Sequence, residues 1–305
     1  MRWSPGGSRR NVDDLRGAGG GGMFGGGGGM FGGGGGGGGM LGGGRRLGCG
    51  GLLVLLVLSF VFKTDLFSLL GGGGGTVAEP VPGAQAPPAQ QTADEAKLAD
   101  FVTFVLNDVQ AMWAKTLPTV GTRYQDARLV LFRNAVRSEC GVAQSAMGPF
   151  YCPADGRVYI DLGFYEELRR RFGAPGDFAQ AYVIAHELGH HVQNLLGTSQ
   201  QVTQEQRQRP DAANALSVRL ELQADCYAGV WANAASDSLE TGDVEEGLAA
   251  AAAVGDDRMQ QGAGRSVNSE SFTHGSAAQR ASWFRRGLQN GRPQDCDTFA
   301  RSSNP

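Results

Sequence analysis

What most constrains the folding of this 305-residue chain is where its glycines lie. Most of the 50 precede residue 76, in tracts broken by apolar pairs such as Met23-Phe24, Met30-Phe31 and Met40-Leu41. Glycine loses more backbone freedom on ordering than any other residue and brings no side chain to bury. Residues 1–46 are therefore expected to form a disordered tail. A single domain has to be built from residues 94–305, which is enough chain for a sizeable core.

Between tail and domain lies one strongly apolar stretch. Arg45-Arg46 precede Leu47 to Phe62, which carries no charge and is followed by Lys63. A bilayer needs roughly 20 apolar residues, and this run is shorter, but Lys63 can snorkel and Leu66 to Leu70 continue the apolar character. The reading is a single membrane span over 47–70. Basic residues outnumber acidic ones before it, so the positive-inside rule leaves the amino terminus cytoplasmic and the domain periplasmic or extracellular, at the inner or plasma membrane. A cleaved signal peptide fits less well, because the start is long and no small-x-small site closely follows the run. Residues 71–93, glycines followed by a Pro-rich stretch, read as a linker.

The chain holds 27 basic and 30 acidic side chains, and the acidic excess falls in the domain, so no nucleic-acid partner is expected. Four cysteines lie in the domain: Cys140, Cys152, Cys226 and Cys296. Four allow three pairings. Cys140 and Cys152 bracket a short loop that is easily bridged, which favours Cys140 with Cys152 and Cys226 with Cys296. Disulfides presuppose an oxidising compartment, in agreement with export; the alternative is buried free thiols.

The domain reads as mainly α with a small β-sheet, an α+β fold. Leu98, Phe101, Val102, Val105, Leu106, Val109, Met112 and Trp113 recur at helical spacing and stop before Pro118. Arg128 to Phe132 and Arg157 to Asp161 read as short strands. Asp177 is placed to cap a helix ending near Gly197; residues 198–211 are polar and Gln-rich, and Pro210-Asp211 leads into the next helix. Further helices are expected over about 212–235, 244–259 and 276–290.

The chemistry concentrates in His186-Glu187-Leu188-Gly189-His190. On a helix this pattern puts two imidazoles one turn apart on one face, able to hold one zinc ion, with Glu187 beside them as a base. A catalytic zinc takes three protein ligands and keeps a fourth position for water. Position 196, where one well-known pattern has a third histidine, is Leu. His191, as the immediate neighbour of His190, points about 100° away around the helix and reads as structural. The third ligand is sought in Glu221-Leu222-Gln223-Ala224-Asp225, where two carboxylates share one face of a largely apolar helix. Glu221 is the expected zinc ligand, and Asp225 the acceptor that fixes the tautomer of a ligand histidine.

With these motifs on the page, the chain resembles the neutral zinc metallopeptidases of bacteria, single-span membrane proteins with a gluzincin-like site. The resemblance is carried by Met1-Arg2-Trp3, Gly148 to Pro153, His186 to Gln193, Glu221 to Trp231, Gly255-Asp256-Asp257 and Ser271 to Ser276. It implies a zincin-type fold, with Glu221 as third ligand. It also implies a role for His274, the one histidine outside the zinc helix: a late Thr-His motif in similar enzymes donates a hydrogen bond to the tetrahedral intermediate. Arg280 reads first as a surface residue, with assistance at the site as the alternative.

The expected activity is endopeptidase hydrolysis by a zinc-activated water, with Glu187 as base and then acid, on a peptide or protein substrate. The strand over 157–161 is expected to offer its edge to that substrate. Two rivals remain: a non-catalytic binding or scaffold protein that uses zinc for folding, and a zinc amidohydrolase acting on a non-peptide amide.

Overall fold

A computed structural model of the protein describes residues 1–17, 92–145, 148–172 and 176–300. Its elements run in the order β1 (Val12–Asp14), α1 (Ala93–Thr116), β2 (Arg128–Phe132), β3 (Ala135–Ser138), β4 (Gly141–Gln144), β5 (Phe150–Cys152), β6 (Arg157–Asp161) and α2 (Gly163–Phe172). There follow α3 (Asp177–Leu195), α4 (Thr198–Gln208), α5 (Ala213–Ala234), α6 (Asp243–Ala253), α7 (Asp256–Gly262) and α8 (Ala277–Asn290). The fold is α+β, as expected.

The apolar positions of α1 explain its place. Phe101, Val102, Val105, Leu106, Val109 and Trp113 are all buried. Thr92 and Glu95 close its amino end as a reciprocal capping box, satisfying two backbone donors that the helix leaves open. Trp113 packs edge-on to Tyr227 of α5, and Trp231 stacks on Phe178 of α3, which ties three helices into one core.

Two helix crossings rest on glycine. A Cβ at Gly189 of α3 would stand 3.0 Å from the Ala224 carbonyl oxygen of α5. A Cβ at Gly287 of α8 would collide with the Cys226 carbonyl, and one at Gly229 of α5 with the Phe284 carbonyl. Only hydrogen at these positions lets α5 lie in backbone contact with both neighbours. That close approach sets the depth at which α5 presents its carboxylates to α3.

The sheet runs in the order β1-β2-β6-β5, with β1, β2 and β6 parallel and β5 antiparallel to β6; β3 and β4 form a separate hairpin. Strand β6 is therefore paired on both sides. It has no free edge for a substrate, and that expectation is corrected: the edge beside the helices is β5. Both disulfides, Cys140–Cys152 and Cys226–Cys296, pair as expected.

Residues 1–17 depart most from the sequence reading. Strand β1 pairs in register with β2, Val12 opposite Leu129. Trp3 packs on Phe101 and Phe104 of α1, Arg16 is buried and paired with Asp14, and Arg128 binds Asp13. The Met1 ammonium reaches Asp177 at 2.7 Å, Glu240 at 3.2 Å and Asp243 at 3.3 Å. The disordered tail over 1–46 is thus corrected for residues 1–17, which complete the domain taken to start at 94. A three-residue strand whose Val12 pairs with Leu129, 117 residues away, leaves no local period to read.

This docking also corrects the predicted topology. A single crossing between residue 17 and residue 92 would put the two parts of one sheet on opposite faces of a membrane. The span over 47–70, the rest of the tail (18–46) and most of the 71–93 linker lie outside the described residues. Among the described residues, no helix is long and apolar enough to cross a membrane.

Smaller differences have local causes. Gly176, not Asp177, caps α3, and Asp177 is its first residue. Residues 198–211, marked in the sequence only by their polar, Gln-rich character, contain α4, whose Gln and Glu residues favour helix without offering an apolar stripe to reveal it. The helix expected over 244–259 is two, broken near Gly255, where a Cβ would meet the Ala277 backbone.

Candidate metal centre

His186 and His190 stand one turn apart on α3, their ring centroids 4.8 Å apart. Helix α5 crosses beneath them and lifts Glu221 into the space between. The Nε2 of His186 lies 3.3 Å from one carboxylate oxygen of Glu221, and the Nε2 of His190 lies 3.5 Å from the other. One ligand atom from each of the three falls within 4.8 Å of the others. Two imidazole nitrogens and one carboxylate oxygen are a donor set that zinc accepts, and three ligands leave a position open. The residues present fit the ion that the sequence suggests.

The far nitrogens of both rings are engaged. His186 Nδ1 is 2.9 Å from Asp225 Oδ1, and Asp225 is wholly buried. Asp225 also accepts from the Tyr182 hydroxyl, from Arg280 Nε at 2.8 Å and from Arg280 Nη2 at 2.9 Å. Burial opposes the ionised form of Asp225, but Arg280 and then His186 overcome it and hold its carboxyl below the usual range. For His186, burial works against charge, yet Asp225 and Glu221 raise its pKa to about 9. The cluster favours positive charge at the place a cation would sit.

Arg280 is not the surface residue expected. It is 3% exposed, donates to the Val254 carbonyl and the Tyr182 hydroxyl, and comes within 3.9 Å of Glu221. Nothing in the local sequence of α8 announces this, since Arg280 sits among other arginines and the partner that buries it is 55 residues away.

Glu187 is buried beside the centre, and the Tyr151 backbone on β5 is among the groups that favour its ionised form. Burial raises its carboxyl above the ordinary value, only partly offset by His186 and His190. Strand β5 packs against α3, the helix that carries Glu187.

His191 points away from the ligand pair, as the helical angle requires. It donates from Nε2 to the Gln125 carbonyl at 2.6 Å and accepts from the Tyr151 hydroxyl at 3.0 Å, with the Tyr124 ring edge-on. Burial holds it below its ordinary pKa, so the ring stays neutral and braces β5.

His274 comes from a loop organised by one carboxylate. Asp256 Oδ2 accepts the backbone N–H groups of Thr273, His274 and Gly275 at 2.7, 2.6 and 3.0 Å. Its Oδ1 lies 3.3 Å from His274 Nδ1. Burial disfavours charge on His274, but Glu221 and then Asp256 raise its pKa, which puts this imidazole within the field of the metal-site carboxylate. Asp256 was quoted from the sequence only as part of a motif; its role depends on a turn 17 residues later.

A second acidic group, Asp177, Asp243 and Glu246, gathers at the amino ends of α3 and α6. The Met1 ammonium already occupies it.

A family model described as "Putative neutral zinc metallopeptidase" matches residues 1–299. "Uncharacterized protein YpfJ" of Escherichia coli (strain K12) is 47% identical over 260 residues, which cover 84% of this chain and 88% of that protein. "Uncharacterized protein Rv2575" of Mycobacterium tuberculosis (strain ATCC 25618 / H37Rv) is 47% identical over 207 residues, 64% of this chain and 68% of its own. No solved structure matches the chain.

Proposed function

The chain belongs to the neutral zinc metallopeptidase family, a family of hydrolases, and on that premise we propose that it is a zinc-dependent endopeptidase whose centre is His186, His190 and Glu221. The observation that carries this reading is the Glu221 carboxylate set between the two Nε2 atoms, with the buried Glu187 alongside.

Zinc bound there would supply a Lewis acid and lower the pKa of a water towards ~7. With zinc held by His186, His190 and Glu221, Glu187 would take a proton from the attacking water and give it to the leaving amine. A carboxyl raised by burial is suited to both halves of that transfer. Asp225 keeps the His186 proton on Nδ1 and leaves Nε2 for the metal. His274, oriented by Asp256, donates to the developing oxyanion. The extended substrate lies along β5, whose outer edge has no strand partner among the described residues.

Glu187→Gln should keep zinc at one equivalent and lose cleavage by about 10²- to 10⁴-fold on an unbiased peptide library. Equal cleavage by variant and wild type would refute the mechanism. His274→Ala, by removing one oxyanion donor, should cost ~10²- to 10³-fold in turnover with metal content unchanged; a change in KM alone would assign it to substrate binding.

The apolar stretch over 47–62 supports attachment to a membrane, and the two disulfides support an oxidising side. In this reading residues 1–17 lie on that same side, because they belong to the same sheet.

A further inference from the structure

We propose that Gln193 and Gln223 are positioning residues for His190, forming a directed line of hydrogen bonds from the Cys296 carbonyl to the imidazole and fixing its proton on Nδ1. The inference rests on the metal-centre reading above and assigns how its second histidine is held.

The direction of the line follows from its carbonyls. A backbone carbonyl only accepts, so the group facing the Leu220 oxygen at 2.7 Å has to be the amide nitrogen of Gln193. Its Oε1 therefore faces His190 Nδ1, at 2.8 Å, and that nitrogen carries the proton. The same reasoning applies one step back. Gln223 Nε2 faces the Cys296 carbonyl at 3.0 Å, which leaves its Oε1 to accept from Gln193 Nε2 at 3.1 Å. Neither amide can be flipped without setting two donors or two acceptors against each other. With Nδ1 protonated, the lone pair of His190 Nε2 points to the space it shares with Glu221.

Burial makes the arrangement costly to break. Gln193 is 0% exposed and Gln223 6%. Removing either leaves buried polar groups that water cannot reach. The far end is also held: Cys296 is bridged to Cys226, three residues beyond Gln223 on α5. Helix α5 thus serves both rings. Glu221 meets the metal side, Asp225 orients His186 with a charge, and Gln223 orients His190 through a neutral amide. Sequence patterning does not reveal this, because Gln193 lies three residues from His190 but its amide is set by partners 27 and 30 residues away.

The test is zinc affinity by competition with a chromophoric chelator, combined with nitrogen-15 spectra of the histidine rings in wild-type protein. His190 should appear as the Nδ1–H tautomer. Gln193→Leu should weaken zinc binding by about 10- to 100-fold, the usual cost of losing a partner of a ligand histidine. Gln223→Leu should fall between it and wild type, and Gln261→Leu, on an exposed helix end, should match wild type. Wild-type affinity in Gln193→Leu, or His190 protonated on Nε2, would overturn the proposal. The spectra decide it even if the buried variants do not fold. Failure of the wild type itself to take up zinc would instead overturn the metal-centre reading on which this rests.

Discussion

Arg280 and Asp225 are both almost wholly inside the protein and joined through two hydrogen bonds, so each makes the other tolerable there. Removing one member of a buried pair strands the other charge, at a cost of about 3–5 kcal/mol. Arg280→Met should therefore lower stability by that order in urea titrations. Asp225→Asn should do so as well, and should also weaken zinc binding, since it replaces the acceptor of His186. Arg280→Lys is not expected to rescue, because a single ammonium cannot serve both carboxylate oxygens and the Tyr182 hydroxyl. At this scale the sequence was readable wherever partners share one helix. His186, Glu187 and His190 announce themselves by spacing, and so do Glu221 and Asp225. Arg280, Tyr182, Gln193 and Asp256 do not, because each gains its role from an element that only tertiary folding brings near.

Among the elements, the crossing of α5 and α8 is the least forgiving. Gly287→Ala drives a methyl group into the Cys226 carbonyl, and the helices have to separate. Overpacking of this kind costs typically 1–3 kcal/mol, occasionally more. A melting curve of Gly287→Ala should show a loss of that order, whereas Gly262→Ala, with nothing near its added carbon, should stay close to wild type. The helices carrying the ligands were legible from apolar periodicity. Helix α4 was not, being polar on most faces, and β1 was too short to register.

The docking of β1 should also depend on pH in two directions. Asp13 and Asp14 are held below their ordinary pKa of 3.8, chiefly by hydrogen bonds from Arg128 and Arg16. A depressed carboxyl contributes stability above 3.8 that disappears as pH falls through its folded value. The Met1 ammonium is raised above 8.0: burial opposes its charge, and Asp177, Glu240 and Asp243 outweigh that. Its contribution is complete below 8.0 and is lost as pH rises through the higher folded value. Trp3 fluorescence should report a docked segment between these limits and release outside them; a flat response from acid to alkaline pH would refute the ionic account.

For the whole molecule, residues 1–17 and the described residues of 92–300 are one folding unit, and in the sequence only Met1-Arg2-Trp3, among the residues that carry the family resemblance, pointed that way. The apolar stretch between them pointed to a boundary, and the sheet crosses it. Deleting residues 2–17 should expose Leu129 and Leu131 along β2 and destabilise the centre indirectly, with a lower melting temperature and weaker zinc retention; an unchanged melting curve would count against the docking.

Strand β1 is also made first and completed late. Val12 pairs with Leu129, 117 residues further along, so at ~5–20 residues per second a ribosome needs about 6–23 s to deliver β2 after β1. Through that interval the opening segment has no fold of its own, while the apolar stretch, synthesised in between, is already available to membrane-targeting factors. The Met1 ammonium waits longer still, because its partner Asp177 is made after every strand of the sheet, and Glu240 and Asp243 later again.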